Sequence, residues 1–117
     1  METSRRGDIV RIRFDPTEGS EQAGERPAMV ISPDWVNEQS PVIIVAGITS
    51  RKTERVYRRE VLIEPPEGGL HMRSKVLLSQ LRTVDKVRIT GYYGSVGPDT
   101  MRRVDEALKV AVGLVRL

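Results

Sequence analysis

The sequence is poor in the residues that most often mark a chemical site. It has no cysteine, one histidine and one tryptophan in 117 residues. The lack of cysteine excludes disulfides and thiolate metal sites, and the scattered acids form no recognisable ligand set. No apolar run follows the first residues, so neither a signal peptide nor a membrane span is expected. We therefore predict a cytoplasmic protein that uses no metal or other cofactor.

Length and composition favour one small domain. At 117 residues, of which 38% are hydrophobic and 4% aromatic, the chain suits a single domain over residues 1–117 with a core of valine, isoleucine and leucine. Such a monomer would be modestly stable, and a dimer that shares a buried face would be more so. The net charge of +3 and the pI of about 9.6 are compatible with nucleic acid and equally with an ordinary basic protein.

The hydrophobic pattern predicts short strands followed by one helix. Alternation over Asp8–Phe14 indicates a half-buried strand, and further strands are expected at 28–32, 42–47, 60–64, 74–78 and 87–95. A stripe at Met101, Val104, Leu108, Ala111 and Val115 predicts a C-terminal helix that begins near Gly97. The pattern therefore indicates a mainly β fold, a small curved sheet or barrel closed by a helix.

Four aromatic or imidazole side chains have open or secondary roles. We expect Trp35 to close one end of the core, with base stacking as the alternative. Tyr92 and Tyr93 could belong to the core edge, a dimer surface or a base-stacking platform. His71 is expected to be an exposed loop residue, because a lone histidine cannot form the acid–base pair of some ribonucleases.

The most informative stretch is the polar connection from Asp15 to Pro27. It is too long for a tight hairpin turn, and it brings glycines, a serine and a carboxamide around one cation, Arg26. An arginine fork can form two parallel hydrogen bonds to a phosphate, so the stretch outlines an anion site. A solvated loop is the alternative for a segment of this composition.

The order of residues in this connection resembles that of the MazF/PemK family of bacterial toxin endoribonucleases. The match covers Gly7-Asp8, Asp15-Pro16-Thr17, Gly19-Ser20-Glu21-Gln22, Gly24 and Arg26-Pro27. Three later blocks follow in the same order: Ala46–Ser50, Leu78–Lys86 and Val104–Leu108. The resemblance therefore covers nearly the whole chain, and it implies an SH3-like barrel of the MazF/CcdB-like toxin type.

The same resemblance assigns roles to particular residues. It implies that Arg26 and Thr49 are catalytic, and that Gln80 and Arg82 line an RNA groove. The residue chemistry adds Glu21, either as the general base or as a support for Arg26. Support is the preferred role, because a carboxylate beside an arginine usually has a lowered pKa and is then a weaker base. Ser20 and Gln22 would contact phosphate or base edges. Arg51 begins a segment with five cations and one acid, residues 51–59, which is either a solvated loop or a wall for a phosphate chain.

The expected reaction is metal-independent cleavage of single-stranded RNA by the neighbouring 2'-hydroxyl. Arg26 would stabilise the charge that develops on the phosphate, and the Thr49 hydroxyl would donate to a phosphoryl oxygen. Without the resemblance, Thr49 would be expected to bind its own backbone. The general base stays open, since a guanidinium with a pKa above about 12 is a poor one.

Partners and rival functions follow from the same family. The resemblance implies a homodimer and a cognate antitoxin whose extended acidic tail covers the basic groove. A CcdB-like poison that binds DNA gyrase and a non-catalytic SH3-like RNA-binding module are the alternative functions. A gyrase binder would have no need of a phosphate-directed arginine paired with a hydroxyl.

Overall fold

The computed structural model describes residues 3–14 and 24–116. Over these residues the chain forms six strands and two α-helices. The strands are β1 (Asp8–Phe14), β2 (Gly24–Val30), β3 (Val42–Thr49), β4 (Glu60–Ile63), β5 (Ser74–Asp85) and β6 (Ile89–Ser95). The helices are α1 (Asp34–Gln39) and α2 (Pro98–Ala111). The strands pair antiparallel in one sheet, in the order β4-β5-β3-β2-β1-β6.

The sheet curls because its ladder is interrupted in several places. The pairing of β1 with β6 shifts twice, and the pairing of β3 with β5 shifts between Ala46 and Gly47. Such bulges increase local twist and bend a strand. The mainly β architecture with a C-terminal helix, as the sequence predicted, is confirmed.

Two apolar clusters lie on opposite faces of the curled sheet. Alternate residues of each central strand point to opposite faces. On β1, for example, Ile9 joins the cluster beneath α2, whereas Val10 and Ile12 join the second cluster. The second cluster is entirely aliphatic in its buried members: Val10, Ile12, Ala28, Val30, Ile43, Val45 and Val84. The predicted alternation of β1 and the predicted aliphatic core are both confirmed.

Three strand predictions need correction. The strand expected at 28–32 is β2, Gly24–Val30, so the last four residues of the predicted polar connection belong to a strand that pairs with β1. The strand predicted at 74–78 is only the first part of β5, which runs from Ser74 to Asp85. That first part pairs with β4 and β3, and after a bulge at 78–80 residues 81–85 pair with β3 again. The final strand begins at Ile89 and not at 87, since Lys86–Arg88 forms a short 3-10 turn. The Asp85 side chain accepts a hydrogen bond from the Val87 N–H and so caps that turn.

The role expected for Trp35 is wrong. Residues 33–41 were expected to be an irregular connection, yet Asp34–Gln39 forms the short helix α1. Asn37 is the residue of α1 that is fully buried, where it exchanges hydrogen bonds with Ser32. Trp35 points the other way and is 69% exposed. It therefore does not close the core.

Helix α2 covers the first cluster much as its apolar stripe predicted. Val104 is buried, and Met101, Leu108 and Ala111 pack against the cluster. Val115 is an exception, because the helix ends at Ala111 and leaves it largely exposed. The Glu67 carboxylate accepts hydrogen bonds from the Gly97 N–H and the Thr100 hydroxyl and so fixes the start of the helix. None of the described helices is long and apolar enough to cross a membrane.

The two tyrosines of β6 lie in different environments. Tyr93 packs against the edge of the first cluster, which confirms the core-edge interpretation for that residue. Tyr92 is 64% exposed on an edge strand and shares a hydrogen bond with Ser95.

Candidate active site

Arg26 and Thr49 line the same open cleft. The cleft has a volume of about 440 Å³ and is bounded by two ends of strands and the segment that precedes β5. Its lining residues are Arg26, Pro27, Ile48, Thr49, Ser50, Arg51, Leu70, His71, Met72 and Ser74. Of the eight residues proposed from the sequence, three lie here: Arg26, Thr49 and Arg51.

The strand register explains why Arg26 and Thr49 meet. The antiparallel pairing of β2 with β3 places Ala28 opposite Gly47 and stops there. Two residues further along this register, Arg26 comes opposite Thr49. Pro27 lies between, and a proline has no N–H with which to extend a ladder. The strands therefore separate at Pro27, and the cleft opens where their pairing ends.

Thr49 already uses one half of its hydrogen-bonding capacity. Its Oγ1 accepts a hydrogen bond of 3.1 Å from the Arg51 N–H, which is the local backbone role considered from the sequence. A hydroxyl also carries a proton to donate. The Arg51 contact fixes the position of the oxygen and leaves its O–H available to a ligand in the cleft. The backbone bond and a substrate bond are therefore compatible.

Gln80 and Arg82 lie outside the cleft but on the same face of the sheet. On β3, Thr49, Gly47 and Val45 are alternate residues, and the latter two neighbour Gln80 and Arg82. A Cβ placed on Gly47 would lie 3.8 Å from the Gln80 amide oxygen, and Arg82 is the ladder partner of Val45. At about 7 Å for every two residues of strand, this face extends roughly 14 Å from Thr49 to the level of Arg82.

Arg82 is held in place by an aromatic ring. Its guanidinium carbon lies 4.4 Å from the centre of the Phe14 ring, close enough for a cation–π contact. Phe14 in turn packs against the second cluster. The face that extends from Thr49 to Arg82 therefore ends next to the second apolar cluster.

Arg51 begins the basic loop, which we define as residues 51–59. Every residue of this loop except Thr53 is exposed. The loop leaves the cleft at Arg51 and returns to the sheet at β4. Its five cations, Arg51, Lys52, Arg55, Arg58 and Arg59, are all exposed, and the first of them lines the cleft.

The cleft is also lined by three polar residues that were not proposed for the site, Ser50, His71 and Ser74. His71 is exposed, as expected, but it lies in the cleft and not away from it. Its segment is held at both ends: Leu70 is buried in the first cluster, and the Ser74 hydroxyl donates to the Met72 carbonyl at 2.8 Å. No periodic or motif signal in the sequence indicates this position.

Three proposed residues, Ser20, Glu21 and Gln22, lie outside the described residues. Within 3–14 and 24–116, no cluster of three or more His, Asp or Glu side chains is arranged to hold a metal ion.

Comparisons with known proteins identify the family of the chain. Residues 5–112 match the family model described as PemK-like, MazF-like toxin of type II toxin-antitoxin system. The chain belongs to this family.

Individual relatives match over almost the full length of this MazF-like toxin. It is 38% identical over 111 residues to Endoribonuclease EndoA of Bacillus subtilis (strain 168), a match that covers 95% of this chain and 96% of that one. Among solved structures, the MazE–MazF complex of Deinococcus radiodurans (Form-II) matches with a TM-score of 0.79 and 28% identity, covering 98% of this chain and 100% of that one. Free MazF of the same organism (Form-I) matches with a TM-score of 0.77 and 27% identity over 97% and 99% of the two chains.

Proposed function

We propose that this MazF-like toxin is an endoribonuclease that cuts single-stranded mRNA at short sequence motifs without a metal ion, and so inhibits translation and growth. The observation that carries the proposal is the shared cleft of Arg26 and Thr49. A guanidinium and a hydroxyl meet there, and both can donate hydrogen bonds to one phosphate. The 38% sequence identity to Endoribonuclease EndoA of Bacillus subtilis supports the same activity.

The proposed reaction is an internal transesterification. The 2'-oxygen of the substrate forms a bond to phosphorus, the bond from phosphorus to the 5'-oxygen breaks, and the 2'-hydroxyl proton passes to a base. The leaving 5'-oxygen takes up a proton. The products are a 2',3'-cyclic phosphate and a 5'-hydroxyl. No metal is needed to supply the nucleophile, because the substrate carries it.

Each of the eight residues proposed for the site has a role in this scheme. Arg26 forms two hydrogen bonds to the scissile phosphate, and these strengthen as negative charge develops on its oxygens. Thr49 donates its O–H to a phosphoryl oxygen while its oxygen stays bound to the Arg51 N–H. Glu21 supports Arg26. Ser20, Gln22, Arg51, Gln80 and Arg82 contact the flanking RNA, whose unstacked bases expose their edges in a single strand.

We also propose a cytoplasmic homodimer that a cognate antitoxin inhibits. The solved complex of MazF with MazE in Deinococcus radiodurans supports an antitoxin partner. The five cations of the basic loop suit an extended acidic tail, whose binding should weaken with salt. Exposed apolar residues on β3 and β5 suit a self-association surface: Val42, Ile44 and Leu81.

End-group analysis of a cleaved oligonucleotide tests the reaction. The purified protein is incubated with a long single-stranded RNA in EDTA, the cut sites are mapped, and a matched oligonucleotide with one 2'-deoxy sugar at a mapped site is then tested. We expect cleavage in EDTA, a 2',3'-cyclic phosphate end, and no cut at the deoxy position. A 5'-phosphate product, or cutting at the deoxy sugar, would contradict the mechanism.

A further inference from the structure

A buried ion pair lies beside the cleft, and neither the proposed reaction nor the family comparison gives it a role. Lys75 on β5 is 5% exposed. Its Nζ lies 2.9 Å from Oε1 of Glu60, whose side chain is itself only 9% exposed. A protein in which two well-packed apolar side chains replace a buried ion pair is often as stable as the original, or more stable. Stability alone therefore does not account for a lysine at this strand position.

The contacts of this pair converge on the basic loop. Lys75 Nζ also donates to the Arg55 carbonyl at 2.8 Å. Glu60 Oε1 accepts from the Tyr57 N–H at 3.0 Å, and the Glu60 N–H donates to the Tyr57 carbonyl at 2.9 Å. Arg55 is thus bonded to β5, and Tyr57 is bonded to the first residue of β4. These contacts hold the middle of the basic loop against the two strands.

Three cations surround the Tyr57 ring, next to the contact between Lys75 and Glu60, which we call the anchor. The guanidinium carbons of Arg55 and Arg59 each lie 5.1 Å from the ring centre, and Lys75 Nζ lies 5.9 Å from it. Three like charges around one ring repel each other. The ring face and the Glu60 carboxylate offset this repulsion. Loss of the lysine–glutamate contact would release the loop and let its cations separate.

The electrostatics of Glu60 keep the anchor charged. Burial raises the pKa of this carboxyl, but the Tyr57 N–H, the Lys75 ammonium and the Arg59 charge lower it by more, so the pKa lies below its ordinary value. The carboxylate stays ionised throughout the neutral range. At neutral pH the pair therefore includes an ionised Glu60 carboxylate.

The position of Lys75 connects this anchor to the candidate active site. In the β3–β5 ladder Lys75 is the direct partner of Thr49, and the preceding residue, Ser74, lines the cleft. The basic loop leaves the cleft at Arg51 and reaches the anchor at Arg55. Lys75 is therefore next to Thr49 in the sheet and also contacts the middle of the basic loop.

We propose that Lys75 and Glu60 are positioning residues for RNA binding, which hold the basic loop in a preformed shape that receives the phosphates flanking the cut. This proposal rests on the endoribonuclease function proposed above. Preorganisation reduces the ordering cost of binding without acting on the reacting atoms. The pair therefore affects the affinity for RNA and leaves the chemical step unchanged.

The test combines one disruptive variant, one repacked variant and one control. Lys75→Met leaves Glu60 buried without its cation. The double variant Glu60→Leu/Lys75→Met replaces the pair with apolar side chains, which restores stability but not the tie to the loop. Lys109→Met removes the same charge from an exposed Lys–Glu pair on α2, where Nζ and the Glu106 carboxylate lie 3.4 Å apart.

Steady-state cleavage of a short single-stranded RNA gives KM and kcat, and a cleavage-resistant 2'-deoxy analogue gives Kd. For both the single and the double variant we expect KM and Kd to rise about tenfold, with kcat within about twofold of the parent protein. Thermal unfolding should place the double variant within about 3 °C of the parent. Lys109→Met should leave all these values nearly unchanged.

The repacked variant decides between positioning and simple stability. If it recovers both thermal stability and KM, the ion pair is only structural and the proposal is overturned. The proposal fails equally if the parent protein cuts RNA and both variants keep its KM. A parent protein that cuts no RNA instead rejects the endoribonuclease function itself. Raised KM and Kd in a thermally restored double variant support the proposal.

Discussion

The cleft and the Lys75–Glu60 pair both lie at the end of β3, but their cations differ in exposure. Arg26 is an exposed cation at the place where two strands separate, whereas Lys75 is a buried cation in a continuous ladder. An exposed fork can meet a substrate phosphate directly. A buried ammonium can act only through the groups that it holds. Two cations near one site can therefore have different roles. An exposed cation can contact the substrate, whereas a buried cation can only position other groups of the protein.

The largest effect is expected for Arg26→Ala, which tests whether the exposed cation acts directly on the substrate. We expect kcat to fall by about 10³-fold, because the variant removes both phosphate hydrogen bonds from the transition state. Thermal stability should change little, since the side chain is exposed. Arg26→Lys is the matched control: it keeps the charge but not the two-pronged geometry, and should recover only a small part of the rate. Cleavage at the parental rate by Arg26→Ala would exclude this residue from the site.

The second test is Thr49→Val, which keeps the shape of the side chain and removes its hydroxyl. We expect kcat to fall about 100-fold, since one donor to the developing charge is lost. Thr49→Ser retains the hydroxyl and the contact with the Arg51 N–H, and should keep most of the activity. If Val and Ser lose activity equally, the methyl group matters and not the hydroxyl.

Besides its expected effect on KM, the Lys75–Glu60 pair should contribute to stability while kcat stays nearly unchanged. Glu60→Gln is expected to cost about 2 kcal/mol of unfolding free energy at neutral pH, because it weakens hydrogen bonds to a charged partner. The folded pKa of Glu60 lies below its unfolded value. The carboxylate's contribution is therefore present above the unfolded pKa and is lost as the pH falls through the folded pKa.

Urea unfolding of the parent and the Glu60→Gln variant from neutral to acid pH checks this dependence. The gap between their unfolding free energies should narrow on acidification. A gap that stays constant or widens would show that the ionised carboxylate does not stabilise the fold.

The smallest effect is expected for His71→Gln, in the cleft itself. His71 lines the cleft but is exposed, and we expect kcat/KM to change by less than about threefold, as is usual for a surface contact. The pH profile of kcat/KM should keep its shape. Loss of a limb near neutral pH in this variant would instead identify His71 as an acid or base of the reaction.

Sequence reasoning succeeded where a local pattern carries the information. Period-two alternation located β1, and the spacing of three and four residues located α2, because each pattern reflects which face of the element is buried. It failed at Trp35, where a large aromatic residue was expected in the core. Asn37, and not Trp35, is the side chain of α1 that is fully buried, because Ser32 satisfies its amide. Burial of an amide by one specific partner leaves no periodic signal.

The same division applies to the site. Two sequence blocks, Asp15 to Pro27 and the block around Thr49, were enough to predict that Arg26 and Thr49 are catalytic. The positions of Lys75 and His71 carried no such signal, since an isolated lysine in a strand and an isolated histidine in a loop are both commonly exposed.

The sequence by itself determined the mainly β class, the aliphatic core, the terminal helix and the family. Tertiary structure alone decided that Arg26 and Thr49 share a cleft, that Gln80 and Arg82 continue the same face, and that Lys75 is buried against Glu60. The reason is physical: burial patterns and ordered motifs are local properties of a chain, whereas contacts between distant strands depend on register. Here the end of the β2–β3 ladder and the bulge in β5 set that register.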